Sequence, residues 1–137
     1  GNEKSALVAL EAAREAGRLA DVLIGTDAPA GSGVQPNGML RMITLLSSLG
    51  GLPAEQAFCL ATGNVARRRS LDAGLIAVGY PADFVFLDKP QHSSGKGLLE
   101  AVSLRDIPGI GMVVIDGLVR TGRSRSTPPS HSAPAVV

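Results

Sequence analysis

The stretch Gly25-Thr26-Asp27-Ala28-Pro29-Ala30-Gly31-Ser32-Gly33 comes directly after the apolar run Val22-Leu23-Ile24. Four apolar residues standing together without alternation, Ala20 and Val22 to Ile24, read as a buried strand over 20–25. The strand would deliver one carboxylate, Asp27, into a loop of small residues. In barrels built from alternating strands and helices, the chemistry sits at the C-terminal ends of the strands. Asp27 is therefore the candidate catalytic residue. Ala28 and Pro29 after it leave room for a small molecule, and Gly31 and Gly33 permit backbone angles closed to other residues. Ser32 and Gln35 in the same loop are candidate substrate contacts.

Outward from this junction the pattern alternates. Residues 3–16 read as an amphipathic helix, with Ala6, Ala9, Leu10 and Ala13 on one face and Lys4, Glu11, Arg14 and Arg18 on the other. Gly17 is a natural stop. After the loop, 39–49 reads as a helix with Arg41, Thr44 and Ser48 on its wet face, ended by Gly50-Gly51. Pro53 suits the first turn of a third helix that runs to about Thr62, and 64–69 adds a short one. The period changes after Leu71. Residues 74–76 and 83–87 read as strands, 98–105 as a short helix, and Asp116-Gly117 between two apolar runs as a hairpin turn. The fold class is α/β, with a first segment over 1–72, a mostly β segment over 73–121 and a Pro/Ser-rich tail over 122–137. That tail is expected either as a strap over a surface or as disorder.

The bulk numbers exclude several functions. Aromatic residues make up 3% and the net charge is +1, so neither base stacking nor a broad basic field for nucleic acid is available. No apolar run approaches the ~20 residues that span a bilayer, and no signal peptide is visible. One cysteine cannot form an internal disulfide, which favours a reducing, cytoplasmic setting. The opening Gly1-Asn2-Glu3-Lys4 leads straight into a helix, as though a fold were joined midway.

Three stretches resemble the amidohydrolase superfamily of metal-dependent hydrolases: Ile24-Gly25-Thr26-Asp27-Ala28, the run from Ala57 to Ala66 containing Ala61-Thr62 and Asn64-Val65-Ala66, and the run from Gly74 to Val85 containing Ala82-Asp83. The hairpin Val113-Val114-Ile115-Asp116-Gly117 fits the same pattern, so the likeness covers 20–121. The resemblance implies the C-terminal part of a (β/α)8 TIM-like barrel followed by part of a small β-sandwich. Within the superfamily, the loop 26–36, the segment 106–110 and the tail 124–129 resemble the hydrolases that open a cyclic amide, tetrahydro-6-oxonicotinate. Dihydroorotase-, hydantoinase- and imidazolonepropionase-like substrates remain alternatives, as does a truncated, non-catalytic module.

The resemblance also implies a divalent metal, zinc and/or iron, with Asp27 as one ligand and as the acid–base group. A small cyclic amide is the implied partner, and a homo-oligomer, a tetramer, the implied assembly. The superfamily's strand-borne histidines and bridging lysine or glutamate have no counterpart here; the two histidines, His92 and His131, stand in polar surroundings. Most ligands would thus lie outside this chain, which is expected to be inactive and poorly stable or associating by itself.

Plainer readings accompany each residue. An Asp after a strand is often a turn former. Cys59, between Phe58 and Leu60, is expected to be a buried, inert thiol. Arg67-Arg68-Arg69 is expected to complement a helix dipole and face water. Asp83 and Asp116 are expected to serve turns.

Overall fold

Helical period and caps govern the first half of the chain. In the computed structural model, which describes residues 3–28, 33 and 35–135, α1 runs Glu3–Glu15. It ends as Gly17 turns to φ +66° and the Arg18 N–H reaches back to the Ala13 carbonyl at 2.8 Å, a six-to-one closure that satisfies an orphan carbonyl. Then come a 3-10 turn at Leu19–Asp21, α2 at Gly38–Ser48, α3 at Ala54–Ala61 and α4 at Gly63–Arg69. The second half holds β1 at Phe84–Asp88, α5 at Leu98–Ser103, β2 at Gly109–Ile115 and β3 at Leu118–Thr121.

The core is helical. α2 packs against α1, α3 and α5. Leu10, Ile43, Leu46, Leu52, Ala57, Leu60 and Val102 close one apolar cluster, and Val22 and Ile24 lean on it. The expected wet face of α2 holds at Arg41, which is exposed, and is corrected at Thr44. Thr44 is buried, its hydroxyl donating to the Arg41 carbonyl at 2.9 Å, and Ser47 is buried against Ser103 at 3.2 Å. Short hydroxyls can be buried beside a neighbouring helix when the hydrogen bond is made locally, and α5 is that neighbour.

The sheet is three-stranded and antiparallel in the order β1-β2-β3. β1 meets β2 with Phe84 opposite Val114, and β2 meets β3 with Ile115 opposite Leu118. The expected Asp-Gly hairpin is present, with φ +54° at Asp116 and +72° at Gly117, the paired positive values of a tight turn whose twist suits a hairpin. Asp83 serves that turn by accepting the Asp116 N–H at 2.8 Å.

Two expected strands do not form. The segment 20–25 is a 3-10 turn followed by extended chain, and 74–76 lies outside any strand. The physical reason is the same for both. A strand exists by pairing with a neighbour about 4.8 Å away, and among the described residues no second strand lies beside either segment. The architecture is thus mixed α/β, with no closed barrel among the described residues.

The tail to residue 135 resolves as a strap. The Gln91 N–H donates to Pro129 and the His131 N–H to Lys89, at 3.0 and 2.8 Å. Asp88 accepts from both the backbone and the hydroxyl of Ser132, at 2.8 and 2.5 Å. The strap lies so close over β2 that a Cβ on Gly109 would meet the Ser130 nitrogen at 2.4 Å. Further forward, the Asn37 side-chain amide donates to the Ser126 carbonyl, which ties the strap to the turn that opens α2.

Candidate functional site

The extended segment 22–28 crosses the helical layer and is fixed at several points. Val22 and Ile24 are half-buried on the core, and the Ile24 N–H donates to the Leu60 carbonyl at 3.3 Å. Leu23, between them, is 38% exposed, so one face of this segment is packed and the other open. Farther along, Thr26 abuts the first residue of α2. A Cβ on Gly38 would come within 2.9 Å of the Thr26 methyl group, so glycine there lets α2 begin directly against this segment. The Ala28 N–H donates to the Thr26 hydroxyl at 3.3 Å, and Asp27 between them has φ +53°. Asp is one of the few side chains that tolerate this left-handed conformation.

The turn projects Asp27 into a cleft of about 560 Å³ between the start of α1, this segment and the start of α2. Glu3, Thr26, Gln35 and Arg41 also line it. The Asp27 carboxylate is exposed and has no hydrogen-bond or ion-pair partner among the described residues, and the same holds for the Arg41 guanidinium. A carboxylate with both oxygens free can accept a proton or hold a cation, and a free guanidinium can grip an anion with two prongs.

The structure brings together Asp27 and Gln35 of the expected site residues. Ala28 is exposed beside Asp27 and is not among the residues lining the cleft. Pro29 and Ser32 lie outside the described residues. Sequence reasoning missed Glu3 and Arg41 as cleft residues. Arg41 is legible as a charge on the wet face of α2; the missing step is that this face begins at the end of the extended segment.

Other expectations change or stand. Cys59 is exposed. Ala57 and Leu60 take the inward positions of α3, and the helical period turns 59 away from them. Arg67 and Arg68 do more than face water: Arg68 pairs with Asp21 at 3.3 Å, and Arg67 reaches main-chain oxygen. The hydrogen bond from Arg18, followed by the charge of Arg68, holds the Asp21 carboxyl below its usual range. His92 and His131 are exposed and are not among the residues lining the cleft.

A divalent ion fits this cleft only in part. Asp27 and Glu3 each bring a carboxylate to the cleft, and among the described residues no three His, Cys, Asp or Glu side chains gather to hold a metal. No helix among them is long and apolar enough to cross a membrane.

This geometry has known relatives. The profile of the amidohydrolase family matches residues 3–120. Enamidase from Eubacterium barkeri is 39% identical over all 137 residues, which correspond to 36% of that protein. The crystal structure of enamidase, described as a member of the amidohydrolase superfamily, superposes with a TM-score of 0.94 over 97% of this chain at 40% identity. The match covers 34% of the enamidase chain, so the chain spans about a third of the length of this relative.

Proposed function

The chain belongs to the amidohydrolase family, and we propose that it is the part of an enamidase-like hydrolase that carries the acid–base carboxylate, Asp27. The observation that supports this is the placement of Asp27: free of partners among the described residues, in a cleft, at the end of the segment that matches enamidase. The proposed reaction is hydrolysis of a cyclic amide, with tetrahydro-6-oxonicotinate as the substrate to test. Asp27 removes a proton from the attacking water as its oxygen bonds to the amide carbon. The C–N bond then breaks, and the same carboxyl returns the proton to the departing nitrogen. Water converts the liberated enamine to an aldehyde and ammonia. Arg41, unpaired among the described residues and in the same cleft, suits the carboxylate that such a ring carries, and Gln35 can donate to a ring oxygen.

A divalent ion supplies, when bound, a water acidified towards a pKa of ~7. Asp27 can give one oxygen to it; the other ligands would come from outside residues 1–137. By itself the chain is therefore proposed to be inactive. The test uses a chimaera in which residues 1–137 replace the matching third of enamidase. It should open the cyclic amide, and Asp27→Asn should lower turnover by about 10²–10⁴-fold, the usual contribution of a positioned acid–base group. Unchanged turnover in the Asn variant removes the proposal.

A further inference from the structure

The main chain that leads to Asp27 has carbonyls at 19, 20 and 22, in the 3-10 turn and just after it, that no strand pairs with among the described residues. Side chains of α4 satisfy them instead. The Asn64 amide nitrogen donates to the Leu19 carbonyl at 3.3 Å and to the Val22 carbonyl at 3.1 Å. The Arg67 guanidinium donates to the Ala20 carbonyl at 2.7 Å and, through the same nitrogen, to the Asn64 side-chain oxygen at 3.0 Å. Asn64 is 8% exposed, so both hydrogens and one lone pair of its amide are used where water has little access. Asn64 and Arg67 therefore work as one unit, with Arg67 fixing which way the Asn64 amide faces.

Resting on the catalytic reading of Asp27, we infer that Asn64 and Arg67 are positioning residues that set where the Asp27 carboxylate stands. Three features make the pair more than a structural tie. First, it grips carbonyls 19, 20 and 22, at the end of the segment opposite Asp27, whereas the main-chain bond from α3 is at Ile24. Second, Ile24 to Asp27 is a lever of about 10 Å at ~3.3 Å per residue, so a turn of a few degrees at the grip moves the carboxylate by the order of 1 Å. A displacement of about 1 Å costs on the order of 10²-fold in rate. Third, the Asp27 side chain has no hydrogen-bond or ion-pair partner among the described residues, so its place is set by the main chain that carries it.

The experiment has two readouts. In the 137-residue chain, Asn64→Asp keeps the shape and the oxygen facing Arg67 but removes both donors. Amide exchange at Val22 and Ile24, the hydrogen-bonded amides of the segment, should quicken at least tenfold while the buried amides of α2 at Ile43 to Leu46 stay unchanged. Arg67→Ala should do the same more weakly, and Arg67→Lys should restore most of the protection. In the enamidase chimaera, Asn64→Asp should lower kcat by about 10²-fold with KM within twofold, and Arg67→Lys should stay near the parent. Unchanged exchange at Val22 and Ile24 overturns the grip whatever Asp27 does. Quickened exchange with unchanged kcat overturns the positioning role, provided Asp27→Asn still abolishes turnover; if Asp27→Asn also has no effect, it is the catalytic reading that fails.

Discussion

Gly38→Ala tests the packing that aims Asp27. A Cβ at position 38 would meet the Thr26 methyl carbon at 2.9 Å, Thr26 Cβ at 3.4 Å and Gln35 Cβ at 3.6 Å. Only the first is too close. Gly38 has an ordinary negative φ and is the first residue of α2, so alanine brings no backbone strain and gains some helix propensity, less than the ~1 kcal/mol of a helix interior. The methyl contact must be relieved in one of two ways. Thr26 can rotate and give up its 3.3 Å bond from the Ala28 N–H, at about 1 kcal/mol, or the segment carrying Asp27 must shift, with an overpacking cost of about 1–3 kcal/mol. The net expectation is a loss of about 1 kcal/mol. Thr26→Ser removes the offending methyl and keeps the hydroxyl. In that background Gly38→Ala should be neutral or slightly stabilising, which makes the coupling energy about 1–2 kcal/mol. Urea unfolding of the four proteins at low concentration measures the cycle. Effects that add within about 0.5 kcal/mol would show that α2 does not press on Thr26, and the account of how Asp27 is aimed would fail with it.

Other expectations can be checked on the same chain. The hydroxyl of Ser132, with the Lys89 and Ser132 amides, holds the Asp88 carboxyl below its ordinary 3.8. Its contribution is therefore complete above that value and is lost as pH falls through the lower folded-state pKa. The amides of the strap at 130–132 should lose protection in acid below pH 3.8, and Asp88→Asn should remove that dependence; an identical acid profile in the variant refutes it. Ile76 and Val78 are 87% and 106% exposed, and apolar side chains so placed favour association. The chain should self-associate on concentration, and Ile76→Lys with Val78→Lys should shift it towards monomer in sedimentation; no shift would locate the contact elsewhere. Because Asp27 sits at φ +53°, Asp27→Asn should leave stability within about 0.5 kcal/mol, whereas Asp27→Ala should cost about 1 kcal/mol through the left-handed backbone. Equal stability of the two would show that the turn relaxes.

The elements that the sequence announces by local chemistry are the ones that form. α1 has a full apolar stripe and a glycine stop, and the Asp116-Gly117 hairpin needs nothing beyond its own two residues and their flanking strands. The misreadings all concern neighbours. Residues 20–25 and 74–76 have the composition of strands but no ladder to join. Thr44 looks like a surface position of α2 until the helices packed on α2 bury it. Cys59 looks buried between Phe58 and Leu60, yet those two flank it in sequence, not in space; a helix turns adjacent residues about 100° apart.

The site divides in the same way, and this explains why one residue stands out and its supports do not. Asp27 is recognisable because its setting is written in consecutive residues: an apolar run, then an acid, then small residues. Arg41 and Glu3 reach the same cleft from two helices, and nothing in the spacing between 3, 27 and 41 reports that convergence. Asn64 is hidden more deeply. Its partners are main-chain carbonyls at 19 and 22, which every residue possesses, so no side-chain pattern could mark them as the target. Their need for partners becomes visible only once 20–25 is seen as a 3-10 turn and extended chain that pairs with no strand among the described residues. The same missing neighbour that makes 20–25 fail as a strand gives Asn64 and Arg67 their work. Among the described residues, the directional bonds on carbonyls 19, 20 and 22 are theirs and the local Leu19 turn.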